Sequence, residues 1–282
     1  MSGIVLTLKK RPSQFVDLPG LTPEAIAGRS AEDIAGEPLH LGRRKVTVAD
    51  LFEVEDRAEP EIAVRGEESE ITLRRSSDRL CAIGEGMSEG RIEVHGSAGD
   101  YLGRGMRGGH IRVRGSAGHC VGQGMQGGLI EVSGNVGDFA GGATTGATEG
   151  MNEGTLLVSG NAGHRTGDRM RRGMLVVKGG AGDHLGSRMK GGTIVVLGPT
   201  GRSVGLGMRR GTIVLAERPV EVPATFHTSG KLKMEFLRLL FRELGRSFRS
   251  LAFLKTYGPL SERLIGDLSG GGKGEVLVLL SN

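Results

Sequence analysis

The feature that most restricts how this chain can fold is a repeat centred on methionine. Seven methionines are spaced by 19, 19, 26, 19, 19 and 19 residues, and each copy follows the consensus G-x-G-M-x-x-G-x-I-x-V-x-G-x-A-G. Copies that hold Met, Ile and Val in register at an almost constant period are typical of stacked-repeat proteins. The seven are Met87, Met106, Met125, Met151, Met170, Met189 and Met208.

Each copy contains one short segment in which apolar and polar residues alternate, as in Ile92-Glu93-Val94. This period of two predicts a strand with one buried face. A 19-residue unit with glycine corners has the size of one coil of a parallel β-helix, whose equivalent residues stack about 4.8 Å apart. Because parallel crossovers are nearly always right-handed, we predict an all-β, right-handed parallel β-helix of 19-residue G-x-G-M repeats.

The segment before the repeats is predicted to be a cap over residues 1–60. It contains two short helix starts, at 22–24 and 30–33, where Thr or Ser precedes Pro or acidic residues. Segments 61–64 and 71–73 resemble degenerate first coils, so the β-helix is predicted to occupy residues 61–220. Such caps are needed because the end of a stacked repeat has open strand edges.

The segment after the repeats, residues 221–282, is predicted to be helical with a final strand. Apolar residues recur at helical spacing over 231–244, and a second helix is predicted over 246–256. The apolar run at 276–280 is predicted to pair as the last strand.

Composition narrows the class of protein. Gly makes up 51 of the 282 residues, aromatic residues make up 4%, and Trp is absent, so the core does not rest on large side chains. Gly does not occupy every third position, which excludes collagen. Since 37% of the residues are hydrophobic and no run of 18 is apolar, we expect a globular chain without a membrane span. A cytoplasmic location is expected, because the N-terminus lacks the order of a signal peptide.

The two cysteines are expected to be free thiols. Cys81 and Cys120 are too few for a disulfide framework. Aligned on the repeat they lie two coils apart, near 10 Å by the strand spacing. A disulfide needs its Cα atoms within about 7 Å.

One column of the stack alternates acidic and basic side chains just after the A-G pair of each copy. Opposite charges on neighbouring coils attract by up to about 1 kcal/mol, so a surface ladder is one interpretation and a catalytic Asp/His set is the other. Its two histidines would lie two coils, roughly 9.6 Å, apart. They could not share one metal ion, whose ligands lie about 2.1 Å from it. The column reads Asp100, His119, Asp138, His164, Asp183, Arg202.

The outward position between the Ile and Val of each strand changes from charged to apolar along the chain. A stacked apolar row that faces outward requires cover. Three alternatives stay open: cover by the chain's own C-terminal helices, an interface with another subunit, or both together. The row reads Glu93, Arg112 and Glu131 in the first three coils and Leu157, Val176, Val195 and Val214 in the last four.

The position after the core methionine is basic in four of the seven copies, at Arg107, Arg171, Lys190 and Arg209, which we call the basic stripe. The chain has a net charge of +5. The stripe is interpreted as a solvated face, a docking surface for an acidic partner, or a binding site for a polycarboxylate chain. Nucleic acid is not an expected partner, because no aromatic residues interleave with these charges to stack bases.

Catalytic motifs are absent from the sequence. It contains no H-E-x-x-H, no C-x-x-C and no nucleophile elbow, and its G-x-G strings do not join a strand to a helix. We therefore predict no catalytic residue and no metal ligand in this chain. A seven-residue insertion within 141–149 breaks the period and is either a surface loop or an arm to a neighbouring subunit.

Three parts of the chain carry a resemblance to a known family. They are LTPEAIAGRSAEDIAGEPL with ADLFEV near the N-terminus, the repeats, and RLIGDLSGGGKGEVLV near the end. The chain resembles the C subunits of the formylmethanofuran dehydrogenase family, and most of all the C subunit of the bacterial formyltransferase/hydrolase complex. The repeats alone are also similar to the C-terminal domain of the large subunit of glutamate synthase, but the two flanks favour the formylmethanofuran dehydrogenase family.

The resemblance implies a role in tetrahydromethanopterin-linked one-carbon metabolism and formaldehyde oxidation. In such complexes the A, B and D subunits contain the catalytic machinery, including any metal, and the C subunit is a non-catalytic scaffold without its own cofactor. The complex would use tetrahydromethanopterin and a methanofuran-type carrier, whose glutamate-rich tail is a candidate ligand of the basic stripe. The archaeal and bacterial types of complex stay open. So do two other functions, a glutamate-synthase-type structural module and a stand-alone β-helix that binds an acidic polymer.

Overall fold

A computed structural model describes residues 3–56 and 69–280 of the chain. The predicted coil at 61–64 and the predicted boundary after residue 60 lie outside these residues. Within the described ranges, no helix has the length and apolar character needed to cross a membrane. Strands dominate the described structure, so the predicted all-β class is confirmed.

The described residues form seventeen strands, four α-helices and two short 3₁₀ helices. The strands are β1 (Gly3–Leu8), β2 (Val16–Asp17), β3 (Pro38–Leu41), β4 (Arg44–Thr47), β5 (Phe52–Asp56), β6 (Glu70–Ser76), β7 (Leu80–Cys81), β8 (Arg91–Gly96), β9 (His110–Val113), β10 (Gln126–Val132), β11 (Glu153–Val158), β12 (Met174–Val177), β13 (Thr193–Val196), β14 (Arg210–Leu215), β15 (His227–Lys233), β16 (Leu260–Gly266) and β17 (Lys273–Leu279). The helices are α1 (Pro23–Ile26), α2 (Ala31–Ala35), α3 (Val48–Leu51) and α4 (Glu235–Ser247), and the 3₁₀ helices are Arg249–Thr256 and Leu268–Gly270.

Thirteen strands form one long sheet in the order β15-β16-β17-β14-β13-β12-β11-β10-β9-β8-β6-β1-β5. Pairing is parallel from β1 to β17 and antiparallel only at the two ends, where β5 and the β15–β16 pair close the sheet. Both termini thus add rungs to the repeat sheet, β1 beside β6 and β17 beside β14. The division into residues 1–60, 61–220 and 221–282 stays a prediction.

Equivalent repeat residues pair directly across the sheet. Ile92 pairs with Ile111 and Val94 with Val113, and such pairs continue to β14. A second ladder of parallel bridges links the residues of the A-G corner, so each repeat contacts the next along two separate lines. These bridges join Ala98, Ala117, Val136, Ala162, Ala181 and Thr200 in succession.

The interior of the repeat region is narrow and filled by Met, Ile, Val and Ala. All seven repeat methionines are fully buried. Met suits such a core because its unbranched thioether fills irregular gaps. The turn between Met and strand requires glycine: Gly109 has φ +76°, and a Cβ there would lie 2.5 Å from Met87 Cε.

The flanking helices follow local sequence signals. Thr22 is the N-cap of α1 with Pro23 after it, and Ser30 forms a capping box with Asp33 at α2. At the C-terminal end the predicted helix at 231–244 begins only at Glu235, because 227–233 is strand β15, which pairs with β16. The second predicted helix is the 3₁₀ helix Arg249–Thr256.

Candidate functional site

The basic stripe is positioned by a backbone ladder. Each of its residues donates its N–H to the carbonyl oxygen of the methionine one coil earlier. The N···O distances are 2.7 Å for Arg107 to Met87, 2.9 Å for Arg171 to Met151, 2.7 Å for Lys190 to Met170 and 2.7 Å for Arg209 to Met189. The methionine side chains point into the core, and Arg107, Arg171 and Arg209 are exposed. Arg171, Lys190 and Arg209 therefore lie on consecutive coils, whereas Arg107 lies three coils before Arg171.

Two of the stripe's cations are engaged by the insertion loop. Arg171 Nη1 donates to Glu149 Oε2 at 2.8 Å, and Lys190 Nζ lies 3.5 Å from the other oxygen, Oε1. The hydrogen bond from Arg171 holds the pKa of the Glu149 carboxyl below its usual range. The stripe is therefore partly neutralised by the chain itself.

The insertion loop packs against its own chain, on the face that carries the basic stripe. Gln123 Nε2 donates to the carbonyl oxygen of Ala143 at 2.8 Å, and Arg169 Nη1 donates to that of Ala147. These bonds hold the middle of the loop, and Glu149 holds its end. This arrangement corresponds to the surface-loop alternative of the two that the sequence left open.

A second polar cluster is centred on Asp168, and the repeat consensus does not predict it. This carboxylate is 4% exposed, and it accepts a 2.6 Å hydrogen bond from Ser187 Oγ and a 2.8 Å hydrogen bond from Arg188 Nη2. Arg188 Nε donates to the same oxygen at 3.1 Å. The carboxylate is therefore engaged by both the guanidinium of Arg188 and the hydroxyl of Ser187.

A sequence signal for this cluster does exist. Arg188 occupies the position of the second glycine of the G-x-G pair, and its φ of 55° is left-handed. Arg169 departs from the repeat in the same way, with φ 56°. A large side chain in a conformation that favours glycine indicates that its contacts outweigh the backbone strain.

The alternating acidic and basic column is a hydrogen-bonding ladder between coils. Asp100 Oδ1 accepts the backbone N–H of His119 at 2.7 Å, and His119 Nδ1 accepts that of Asp138 at 3.0 Å. The pattern repeats when His164 Nδ1 accepts the N–H of Asp183 at 3.0 Å. The geometry matches the surface-ladder interpretation, and no group in residues 3–56 and 69–280 could hold a metal ion.

The apolar column is covered within the chain. Its four side chains, at Leu157, Val176, Val195 and Val214, are at most 2% exposed. They pack in one cluster with Leu237, Phe241, Leu244, Leu251 and Leu254 of α4 and the following 3₁₀ helix. The C-terminal cover is thus present in the single chain. The other alternative, an interface between these four residues and another subunit, stays a prediction.

Comparison with known proteins gives consistent similarities. The model of the GXGXG motif family matches residues 57–234. A chain from the crystal structure of the formyltransferase/hydrolase complex FhcABCD of Methylorubrum extorquens, in complex with methylofuran, is 37% identical. The match has a TM-score of 0.86 and covers 98% of this chain and 100% of that chain.

Curated relatives match over a shorter region. The C subunit of the tungsten-containing formylmethanofuran dehydrogenase 2 of Methanococcus maripaludis is 32% identical over 36% of this chain and 35% of its own length. The C subunit of the molybdenum-containing formylmethanofuran dehydrogenase 1 of Methanosarcina barkeri is 36% identical over 35% of this chain and 32% of its own length. The matched region thus spans about a third of the length of these relatives.

Proposed function

Because the chain belongs to the GXGXG motif family and, within it, to the C subunits of the formylmethanofuran dehydrogenase family, we propose that it is a non-catalytic scaffold of a formyltransferase/hydrolase-like complex. The observation that carries the proposal is the match to a chain of the FhcABCD complex over 98% of this chain. That match includes the N-terminal and C-terminal flanks as well as the repeats. In this role the chain holds catalytic subunits together in one-carbon metabolism linked to tetrahydromethanopterin.

The chemistry of the described residues supports a structural role. The Asp/His column is occupied by hydrogen bonds between coils, and Asp168 is neutralised by Arg188. The polar side chains of both arrangements are engaged in contacts within the chain, as expected for groups with a structural role. We further propose that the repeats wind as a right-handed parallel β-helix, because parallel crossovers take that hand. A rigid stack of this kind would present its partners with fixed, regularly spaced surfaces.

The proposed partners are the A, B and D subunits of such a complex. The proposed carrier is a methanofuran-type molecule, and the complex from Methylorubrum extorquens was crystallised with methylofuran. We propose that the basic stripe contacts either an acidic surface of a partner subunit or a glutamate-rich carrier tail. Both alternatives, the acidic surface and the carrier tail, are supported by the consecutive cations Arg171, Lys190 and Arg209, because stacked coils place them about 4.8 Å apart.

Copurification tests the scaffold proposal. The chain is expressed with an affinity tag in its own host, and the subunits that are retained are separated and weighed. We expect three unlike partner subunits and turnover of formyl-tetrahydromethanopterin by the complex, with no turnover by the isolated chain. Recovery of the chain alone, or with glutamate synthase polypeptides, would refute the proposal in favour of a stand-alone or glutamate-synthase-type module. Turnover by the isolated chain would refute the non-catalytic role.

A further inference from the structure

The net positive charge of the chain arises in one segment. Residues 231–257 contain seven cations and two carboxylates, a net charge of +5, which equals the net charge of the whole chain. The remaining residues contain 30 cations and 30 carboxylates and are balanced. The cations of the segment are Lys231, Lys233, Arg238, Arg242, Arg246, Arg249 and Lys255. Lys231 and Lys233 belong to β15, whereas the other five cations and both carboxylates lie in α4 and the 3₁₀ helix Arg249–Thr256, which cover the repeat stack.

A cleft opens on the outer side of this cover. Its volume is about 590 Å³, and it is lined by Glu235, Arg238, Leu239, Arg242, Lys255 and Tyr257. Its floor includes Phe241, whose ring centroid lies 6.0 Å from that of Tyr257. Phe241 is also held in the apolar cluster over the sheet, so the floor of the cleft is fixed by the core.

Exposed apolar side chains lie in the cleft and near it in the chain. Leu239 is 58% exposed, and Phe236 and Phe253 nearby in the chain are 39% and 43% exposed. Aromatic residues and arginine are enriched at the centre of protein–protein interfaces, and tyrosine and arginine are frequent hot spots. The cleft has this composition, although the opposite face of α4 is already used to cover the sheet.

Two of the three cations that line the cleft have no ion-pair partner among the described residues. Arg238 lies 3.4 Å from the exposed carboxylate of Glu235, whereas Arg242 and Lys255 form no ion pair with any residue in the described ranges. Arg238, Arg242 and Arg246 are spaced four residues apart, and like charges at this spacing repel one another on a helix. Carboxylates from outside the chain would relieve this repulsion.

We propose that this cleft docks an acidic segment of a partner subunit. The segment would place an apolar side chain beside Leu239 and Tyr257 and carboxylates at Arg238, Arg242 and Lys255. The inference rests on the proposed function, since it requires that the chain be assembled with other subunits. A protein segment fits better than an anionic lipid surface, because the site is concave and the continuous apolar face of α4 is buried against the sheet.

Matched double variants test the proposal in the full complex. Arg238→Gln with Arg242→Gln removes two cations that line the cleft. Arg246→Gln with Arg249→Gln removes two cations of the same segment outside the cleft lining, so both variants change the net charge equally. Leu239→Gln changes the cleft without changing the charge. Each chain is assembled with tagged partner subunits, the apparent Kd is measured at low and high ionic strength, and circular dichroism melting verifies that each variant is folded.

We expect the cleft double variant to weaken assembly about tenfold at low ionic strength, as loss of two exposed charge contacts predicts. The control double variant should remain within about twofold, and added salt should reduce the difference. Leu239→Gln should also weaken assembly, with little dependence on salt.

Other outcomes overturn the inference. Equal effects of the two double variants would show that only net charge matters, and no effect of the cleft variants would show that the cleft is not a contact. Tight binding of the isolated chain to phosphatidylserine-containing vesicles, lost in the cleft variant while assembly is kept, would assign the surface to lipid. Failure of the wild-type chain to assemble at all would overturn the proposed function together with this inference.

Discussion

Arg171 Nη1 lies 2.8 Å from Glu149 Oε2, so the insertion between the third and fourth repeats is tied to the basic stripe by an ion pair. Lys190 approaches the second oxygen of the same carboxylate. One carboxylate from a loop thereby occupies two of the three cations that lie on consecutive coils. Any acidic ligand of the stripe must compete with Glu149, and removing this competition provides a test of whether the stripe binds anions.

Glu149→Gln should increase the affinity of the stripe for a polyanion. The amide keeps the size of the side chain and removes the competing charge, so we expect the Kd for synthetic oligoglutamate to fall about threefold to fivefold at low ionic strength. Fluorescence anisotropy with labelled oligoglutamate measures this. Glu217→Gln, an exposed site with the same change of charge, is the control, and equal affinities of the two variants would contradict the prediction.

Replacing Arg171, Lys190 and Arg209 with Ala together distinguishes the two roles of the stripe. If the stripe binds a carrier tail, the apparent affinity of the complex for the carrier should decrease at low ionic strength, since several weak contacts are lost together. Dissociation of the complex would instead identify the stripe as an interface between subunits. An intact complex with unchanged carrier affinity would rule out the tail-binding form of the proposal.

The Glu149 ion pair should be lost in acid. Because Arg171 lowers the pKa of Glu149 in the folded chain, the pair contributes above the ordinary Glu pKa and is lost as the pH falls through the lowered value. Carboxyl-detected NMR titration should show the lowered pKa, and Arg171→Ala should raise it towards the ordinary value. No change in Arg171→Ala would mean that the hydrogen bond is not formed in solution.

Phe241→Ala should destabilise the C-terminal cover strongly. Phe241 is 1% exposed and packs over the apolar column, and loss of a buried Phe costs about 3–5 kcal/mol. Phe236 lies in the same helix but is 39% exposed, so Phe236→Ala should cost less than about 1 kcal/mol. Urea denaturation compares the two variants. Similar losses would show that α4 does not cover the column in solution.

Gly109→Ala should cost more than Gly105→Ala, although both glycines have positive φ. A Cβ on Gly105 meets nothing within 4 Å, so we expect only left-handed strain of about 1–2 kcal/mol. A Cβ on Gly109 would lie 2.5 Å from Met87 Cε and 2.8 Å from the carbonyl oxygen of Gly90, which adds a steric clash. Thermal melting ranks the two variants, and equal losses would contradict the close packing of neighbouring coils.

Both cysteines should titrate as free thiols but react slowly in the native protein. Cys81 and Cys120 are unpaired in the structure, and burial raises the pKa of both thiols. A raised pKa reduces the thiolate fraction at neutral pH, so alkylation should accelerate only as the pH rises above the ordinary thiol range. We expect two thiols per chain under denaturing, non-reducing conditions. Zero thiols would contradict the alignment that places the cysteines two coils apart.

Much of the repeat region is predictable because sequence period and spatial period coincide in a stacked structure. Residues 19 apart in the chain, such as Ile92 and Ile111, become direct neighbours across the sheet. The chemistry of one column can therefore be inferred without knowledge of the rest of the fold. The Asp/His column is identifiable in this way, but its hydrogen-bond directions, from backbone N–H to side chain, need coordinates.

The contacts that break the repeat are not predictable in this way. Residues 231–233 have apolar and basic character that suits a helix, yet they form a strand because β16 offers its backbone as a partner. The pairing of Asp168 with Arg188 also cannot be predicted from the repeat consensus, because a consensus omits the positions at which individual copies differ.

The sequence by itself determined the all-β class, the columns of buried Met, Ile and Val, and the need to cover the apolar row from Leu157 to Val214. Only the tertiary structure decided that α4 covers this row and that Glu149 neutralises part of the basic stripe. The physical reason is the range of the interactions. Repeat contacts recur at one fixed separation along the chain, whereas these two depend on where a non-repeating helix and an inserted loop find complementary surface.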